Sequence, residues 1–114
     1  MNDPVQGSVV LVDFTYSNHV QSKVRPALVV SNSRYNTISR DVIVMKITSR
    51  KPMMMAVSLK NEDLQSGSLD HSSYVQADGI YAIEKELICN TIGIILPEKM
   101  QEIRNKVSDL FSPD

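Results

Sequence analysis

Asn18-His19-Val20-Gln21-Ser22-Lys23-Val24-Arg25-Pro26-Ala27-Leu28-Val29-Val30-Ser31 passes from polar to apolar in a single short stretch. A flexible opening gives way to Lys23, Arg25 and Pro26, then to the apolar run at 27–30, which reads as a buried strand. Pro26 fixes its own φ and pushes Arg25 toward an extended conformation. The guanidinium is therefore expected at the mouth of a strand, with less freedom than a loop arginine has. Binding and catalytic side chains are commonly carried by loops propped on rigid elements in this way.

Outward from that arginine the chain alternates short strands with polar breaks. Residues 9–14, Val-Val-Leu-Val-Asp-Phe, have high β-propensity, and residues 16–22 form a polar loop. The second strand, 27–31, is followed by an Asn-, Ser- and Thr-rich loop at 32–40. The β-branched content of residues 41–48 predicts a central strand, which Ser49-Arg50-Lys51-Pro52 breaks before residues 53–59 return. Residues 61–70, with Gly67, read as a turn or irregular link. Residues 73–78 form another strand, interrupted at Asp78-Gly79 and continued at 80–83, and 93–96 form the last. Pro97 then opens a helix at a position where its missing N–H does no harm. Met100, Ile103, Val107, Leu110 and Phe111 fall on one face of it. The expected fold is mainly β: five to seven antiparallel strands in a barrel or rolled sheet, capped by a C-terminal helix. Residues 1–114 read as one domain, without repeat, low-complexity tract or linker.

Composition narrows the function. A hydrophobic content of 42% in 114 residues supports one packed core. No apolar run approaches the roughly 20 residues that cross a bilayer, and Met1-Asn2-Asp3-Pro4 does not open a secretory signal. The single Cys89, between apolar neighbours, reads as a buried structural thiol, and a cytoplasmic location is the expectation. The net charge of −1 hides an asymmetry. Residues 1–60 hold eight cations against three acids, a balance of +5, while residues 61–114 balance at −6. One surface is thus suited to a polyanion, although solvated loops of opposite sign would give the same numbers.

There is no Gly-rich phosphate loop, nucleophile elbow, or Cys and His set at metal-ligand spacing; His19 and His71 stand apart. No metal or other cofactor is expected. RNA cleavage needs none, because the 2′-hydroxyl is an internal nucleophile. Such a site needs a base, an acid for the departing 5′-oxygen, and cations for the charge on phosphorus. Arg25 suits the last role through its bidentate fork, and Thr48 and Ser49 offer hydroxyls at the end of a second strand. Lys23, Lys46, Arg50 and Lys51 suit the phosphate backbone. Tyr16, Tyr35, Tyr74 and Phe14 are candidates for base stacking, although Phe14 and Tyr74 fit a core better. Met53-Met54-Met55, read as part of a strand, cannot all face inward.

Gly7-Ser8-Val9-Val10-Leu11-Val12-Asp13-Phe14 followed by Val24-Arg25-Pro26-Ala27-Leu28-Val29-Val30-Ser31 resembles the opening of the MazF/PemK toxin family. Ile47-Thr48-Ser49, Ser73-Tyr74-Val75 with Asp78, and the helix from Pro97 match later motifs in order. The resemblance implies an SH3-like barrel of the CcdB/MazF toxin type, forming a homodimer. It implies a sequence-selective, metal-independent endoribonuclease (an mRNA interferase) acting on single-stranded RNA, held in check by a cognate antitoxin. By the same resemblance Arg25 and Thr48 are the catalytic pair, with no cofactor. The chain departs from the family before Arg25, where Gly-Ser-Glu-Gln is common and this chain has Asn18-His19-Val20-Gln21. The acidic residue is missing, and His19, with the ordinary imidazole range near about 6.5, is the candidate to replace it in proton transfer. An exposed histidine without a role is the alternative for that position. For the whole chain the alternatives are a gyrase-poisoning binding toxin and a catalytically weakened RNA-binding relative.

Overall fold

The computed structural model describes residues 3–15 and 22–114, apart from the side chains of Thr15 and Ser22. The strands are β1 (Ser8–Thr15), β2 (Ser22–Val29), β3 (Asp41–Thr48), β4 (Ala56–Leu59), β5 (Leu64–Gly67), β6 (Ser73–Glu84) and β7 (Ile88–Ile95). Two α-helices, α1 (Ser33–Ile38) and α2 (Pro97–Leu110), complete the order. The strands form one antiparallel sheet in the order β4-β6-β3-β2-β1-β7-β5, curled into a half-barrel. The mainly β architecture with a C-terminal helix is the one expected.

Residues directly opposed in an antiparallel pair share a face, and successive residues alternate between faces. One face carries Val9, Leu28, Met45, Ile47, Val57 and Val75, which α2 covers with Met100 and Ile103. Lys99 fixes the start of α2: its ammonium lies 3.6 Å from Asp63, 2.9 Å from Glu102, and donates to the carbonyl of Ser58 at 3.0 Å. The opposite face carries Val10, Val12, Ala27, Val29, Val42, Val44 and Ile83, with Phe14 and Tyr81 packed at their margin. Among the described residues no helix contributes to the apolar cluster of the second face, and the cleft described below opens on it.

Several expectations are corrected. The second strand begins at Ser22, so Arg25 and Pro26 lie within it rather than ahead of it. β1 pairs with β2 from Thr15↔Ser22 to Val9↔Leu28, which draws the polar half into the sheet. β3 pairs with β2 only at Ala27, Leu28 and Val29. Pro26 therefore occupies a stretch paired on one side, where a missing N–H is tolerated. Residues 33–38 form a helix instead of a loop, capped by Asn32, whose side-chain oxygen accepts from the Tyr35 N–H at 2.9 Å. Fully buried Asn36 holds it down: its amide donates to the carbonyls of Pro4 at 2.8 Å and Ser31 at 3.0 Å, and its oxygen accepts from the Ser31 hydroxyl.

Residues 64–67 form an edge strand rather than an irregular link. There Gly67 has φ +83°, and a Cβ would lie 2.1 Å from the Ile92 carbonyl oxygen. The break at Asp78-Gly79 is a register shift inside one long strand, since Met45 pairs with Ile80 while Lys46 pairs with Gln76. The methionines precede β4 instead of belonging to it. Met53 and Met54 are 99% and 71% exposed, whereas Met55 packs on the core with φ +61°. On α2, Met100, Ile103 and Val107 face the core, but Leu110 and Phe111 are exposed. Cys89 is also exposed. Ile88 turns toward the apolar cluster of the second face, so the alternation sends Cys89 the other way.

No helix among the described residues is long and apolar enough to cross a membrane.

Candidate active site

The register of the central strands builds a polar floor. Ala27 opposes Lys46, Leu28 opposes Met45 and Val29 opposes Val44. Continued two residues further, that register sets Arg25 level with Thr48, where β2 and β3 no longer pair. Arg25, Ala27, Lys46 and Thr48 accordingly share a face, the one that also carries Phe14 and Tyr81. Burial of Ala27 and Val44 continues the floor inward as apolar surface, and the charged and hydroxyl groups emerge where the two strands part.

A cleft of about 700 Å³ occupies this place, lined by Phe14, Arg25, Pro26, Lys46, Ile47, Thr48, Ser49, His71, Ser73 and Tyr81. One wall is aromatic: the rings of Phe14 and Tyr81 lie 6.2 Å apart and tilted by 43°. That spacing suits an edge-on aromatic contact. Burial pushes the Tyr81 phenol above its ordinary range, so it is a proton donor at neutral pH and not a base. Two cations, Arg25 and Lys46, enter from neighbouring strands, and no carboxylate stands among the described lining residues. A group with delocalised negative charge fits such a place, and a phosphate diester is the plain example.

Thr48 ends β3 at a tight turn in which the Arg50 N–H donates to its Oγ1 at 3.2 Å. With that lone pair engaged, the hydroxyl proton points elsewhere and can be given to an anionic oxygen. Ser49 follows on the same turn.

The sequence-derived candidates distribute as follows. Arg25, Thr48 and Ser49 meet in the cleft. Lys23 is exposed on β2 beside Phe14, on the face of Arg25 but beyond the lining. Arg50 and Lys51 are exposed in the turn that leaves Thr48, outside the lining. His19 and Tyr16 lie outside the described residues. Tyr74 opposes Thr48 on β6 and is half-buried, and Tyr35 is exposed on α1, away from the cleft lining.

Four lining residues had weaker signals. Lys46 reads in the sequence only as one of several cations. His71 stands isolated from any ligand set, and Ser73 and Tyr81 open and continue a strand without marking a site. The β3–β6 register places Lys46 and Tyr81, and Ser73 and His71 lie at and just before the start of β6, an arrangement that no local pattern displays. Among the described residues no three His, Cys, Asp or Glu side chains gather closely enough to hold a metal ion.

Comparison with known proteins gives consistent matches. The family model of the PemK-like, MazF-like toxin of type II toxin–antitoxin systems matches residues 5–111. An Endoribonuclease MazF1 of Mycobacterium bovis is 28% identical over 109 residues, covering 95% of this chain and 92% of that protein. An endoribonuclease from a mycobacterial species, solved in complex with its cognate antitoxin, superposes with a TM-score of 0.77 at 26% identity, covering 100% and 99% of the two chains. The structure of MazF from Deinococcus radiodurans gives 0.71 at 27% identity, with 95% and 96% covered.

Proposed function

We infer the function from one premise: the chain belongs to the PemK-like, MazF-like toxins of type II toxin–antitoxin systems. The reading that follows is an endoribonuclease toxin, a single domain over residues 1–114, that cuts single-stranded RNA at selected sequences without a metal ion. The observation that carries it is the cationic cleft, where Arg25 and Thr48 stand level across the parting of β2 and β3.

In this reading the 2′-hydroxyl attacks the adjacent phosphorus. The O2′–P bond forms as the P–O5′ bond breaks, leaving a 2′,3′-cyclic phosphate and a 5′-hydroxyl. Arg25 donates two parallel hydrogen bonds to the non-bridging oxygens, which gain charge as phosphorus becomes five-coordinate. Thr48 donates a hydrogen bond from its hydroxyl to the same group, and Ser49 supplies a further donor. His19 takes part in proton transfer. Lys23, Arg50 and Lys51 follow the backbone on either side, and Tyr16 stacks on a base. Phe14 and Tyr81 offer a second surface for a base at the cleft wall. The proposed partners are the RNA, a second copy of the chain and a cognate antitoxin, in the cytoplasm.

Purified protein incubated with a long RNA in EDTA tests this. Cuts at a recurring sequence, with cyclic or 3′-phosphate ends, are expected. Arg25→Ala should slow the reaction by about 10²–10³-fold, the usual cost of removing one oxyanion donor. RNA left intact by the wild type would sink the reading and return a gyrase-binding toxin to consideration. Cleavage that survives in Arg25→Ala would move the site elsewhere.

A further inference from the structure

The reaction just described needs a proton at the 5′-oxygen, since an alkoxide is the least easily released ion in it. The described lining residues offer few ways to deliver one. Arg25 and Lys46 are the cations that face the phosphoryl oxygens, burial makes the Tyr81 phenol hold its proton more tightly, and Thr48, Ser49 and Ser73 are ordinary hydroxyls. No carboxylate lines the cleft in the described residues. His71 is the remaining group, and imidazole is the side chain that both gives and takes a proton near neutrality.

The backbone that carries His71 is held on both sides. Two residues before it, Leu69 is buried in the core. Asn61 clamps Leu69 from the neighbouring turn, accepting from its N–H at 2.6 Å and donating to its carbonyl at 3.3 Å. Two residues after it, the Ser73 hydroxyl donates to the His71 carbonyl at 3.1 Å. Ser73 begins β6, whose Tyr74 opposes Thr48. An exposed histidine on so short a tether, anchored in the core at one end and in the sheet at the other, has few places to go but the cleft. The charged and titratable groups around it are Arg25 of β2, Lys46 of β3, Tyr81 of β6 and Asp70 on its own loop. The turn that clamps the loop adds Glu62 and Asp63, the latter engaged by the Lys60 N–H at 2.8 Å and the Lys99 ammonium.

We propose that His71 is the general acid of the cleavage reaction. This rests on the endoribonuclease reading and adds a residue to it. As O2′ bonds to phosphorus its proton passes to solvent water, and the imidazolium Nε2 or Nδ1 proton passes to O5′ while the P–O5′ electron pair goes to oxygen. The neutral imidazole is then reprotonated from solvent. Arg25 and Lys46 hold the charge on the phosphoryl oxygens, and His71 serves the apex from which the 5′-product departs.

The test uses a short RNA containing the mapped cut site, in two forms: natural, and with sulfur replacing the scissile 5′-oxygen. Sulfur leaves as a stable thiolate and needs no proton. Under single-turnover conditions His71→Gln should cut the natural RNA about 10²-fold or more slowly, bind it with unchanged affinity, and lose the alkaline limb of the pH–rate profile. On the sulfur form it should match the wild type. A natural-RNA rate within about threefold of wild type overturns the assignment, as does an equal loss on both substrates. Because His71 is exposed, its removal should leave the fold intact, and imidazole added to His71→Gly provides an independent check by restoring rate on the natural RNA alone. Wild-type protein that cuts neither RNA overturns the endoribonuclease reading itself, whereas active wild type with an active His71→Gln overturns only the role of His71.

Discussion

Asn36 offers a test of how the uncovered face is held in place. Its side chain is fully buried and makes three hydrogen bonds, to the carbonyls of Pro4 and Ser31 and from the Ser31 hydroxyl. Those partners belong to the N-terminal segment and the link that follows β2, and Ser31 in turn accepts from the Ile43 N–H at 2.9 Å on β3. Asn36→Ala strands two half-buried carbonyls. Each costs about 1 kcal/mol, the low end of the range for a group deprived of its partner. The Ser31 hydroxyl keeps its bond to Ile43, so its loss adds little. Removal of the side chain leaves a small gap, which brings the total to about 2–3 kcal/mol. For a domain of this size that is a fall of about 8–13 °C in Tm. Urea unfolding followed by circular dichroism should show a lower midpoint at unchanged slope. RNA cleavage well below the transition should stay within about twofold of wild type, because Ser31 lies beyond the end of β2 and outside the cleft lining. A destabilisation under about 0.5 kcal/mol would show that water replaces these bonds without loss, and that α1 is not pinned through Asn36.

Two further outcomes follow from the cleft. If Lys46 and Arg25 meet phosphates, RNA affinity falls with salt, and Lys46→Gln should lower the slope of log Kd against log salt by about 0.7, the value for one phosphate on a single strand; an unchanged slope would remove Lys46 from the contact. Burial raises the Tyr81 phenol, so the folded state holds that proton more tightly than the unfolded chain. The associated stability is complete below the unfolded pKa and is lost as pH rises through the higher folded one. Urea midpoints between pH 9 and 12 should therefore fall more steeply for wild type than for Tyr81→Phe, and parallel curves would refute the burial argument.

The sequence displays most clearly what is periodic or chemically marked. β3 was legible from Asp41 to Thr48 because β-branched residues run through its length, and α2 because Pro97 and the apolar spacing agree. Polar structure was harder to see. The helix at 33–38 has one buried residue, an asparagine, so no apolar stripe betrays it. The polar half of β2 is a strand by virtue of its pairing with β1, a tertiary cause that outweighs local composition. β5 exists because β7 provides an edge, and its Gly67 reads equally as a turn. The expectation of as many as seven strands thus included the right number from partly different segments. Arg25 and Thr48 were accessible as candidates through motif and chemistry. Tyr81 was not, since its place opposite Val44 follows a register shift at Asp78-Gly79 that looks in the sequence like an interruption, and His71 lies in a loop that no pattern marks.

That β2 and β3 pair only at residues 27–29 has a mechanical consequence. The sheet consists of two blades, β4-β6-β3 and β2-β1-β7-β5, joined by that short seam and by the Val30 and Ser31 N–H groups, which donate to the Ile43 carbonyl at 2.9 and 3.3 Å. Arg25 belongs to one blade and Thr48, Lys46 and Tyr81 to the other. No ladder hydrogen bond joins residues 25 and 48, so the gap between the guanidinium and the hydroxyl is set by the core that both blades share beneath α2.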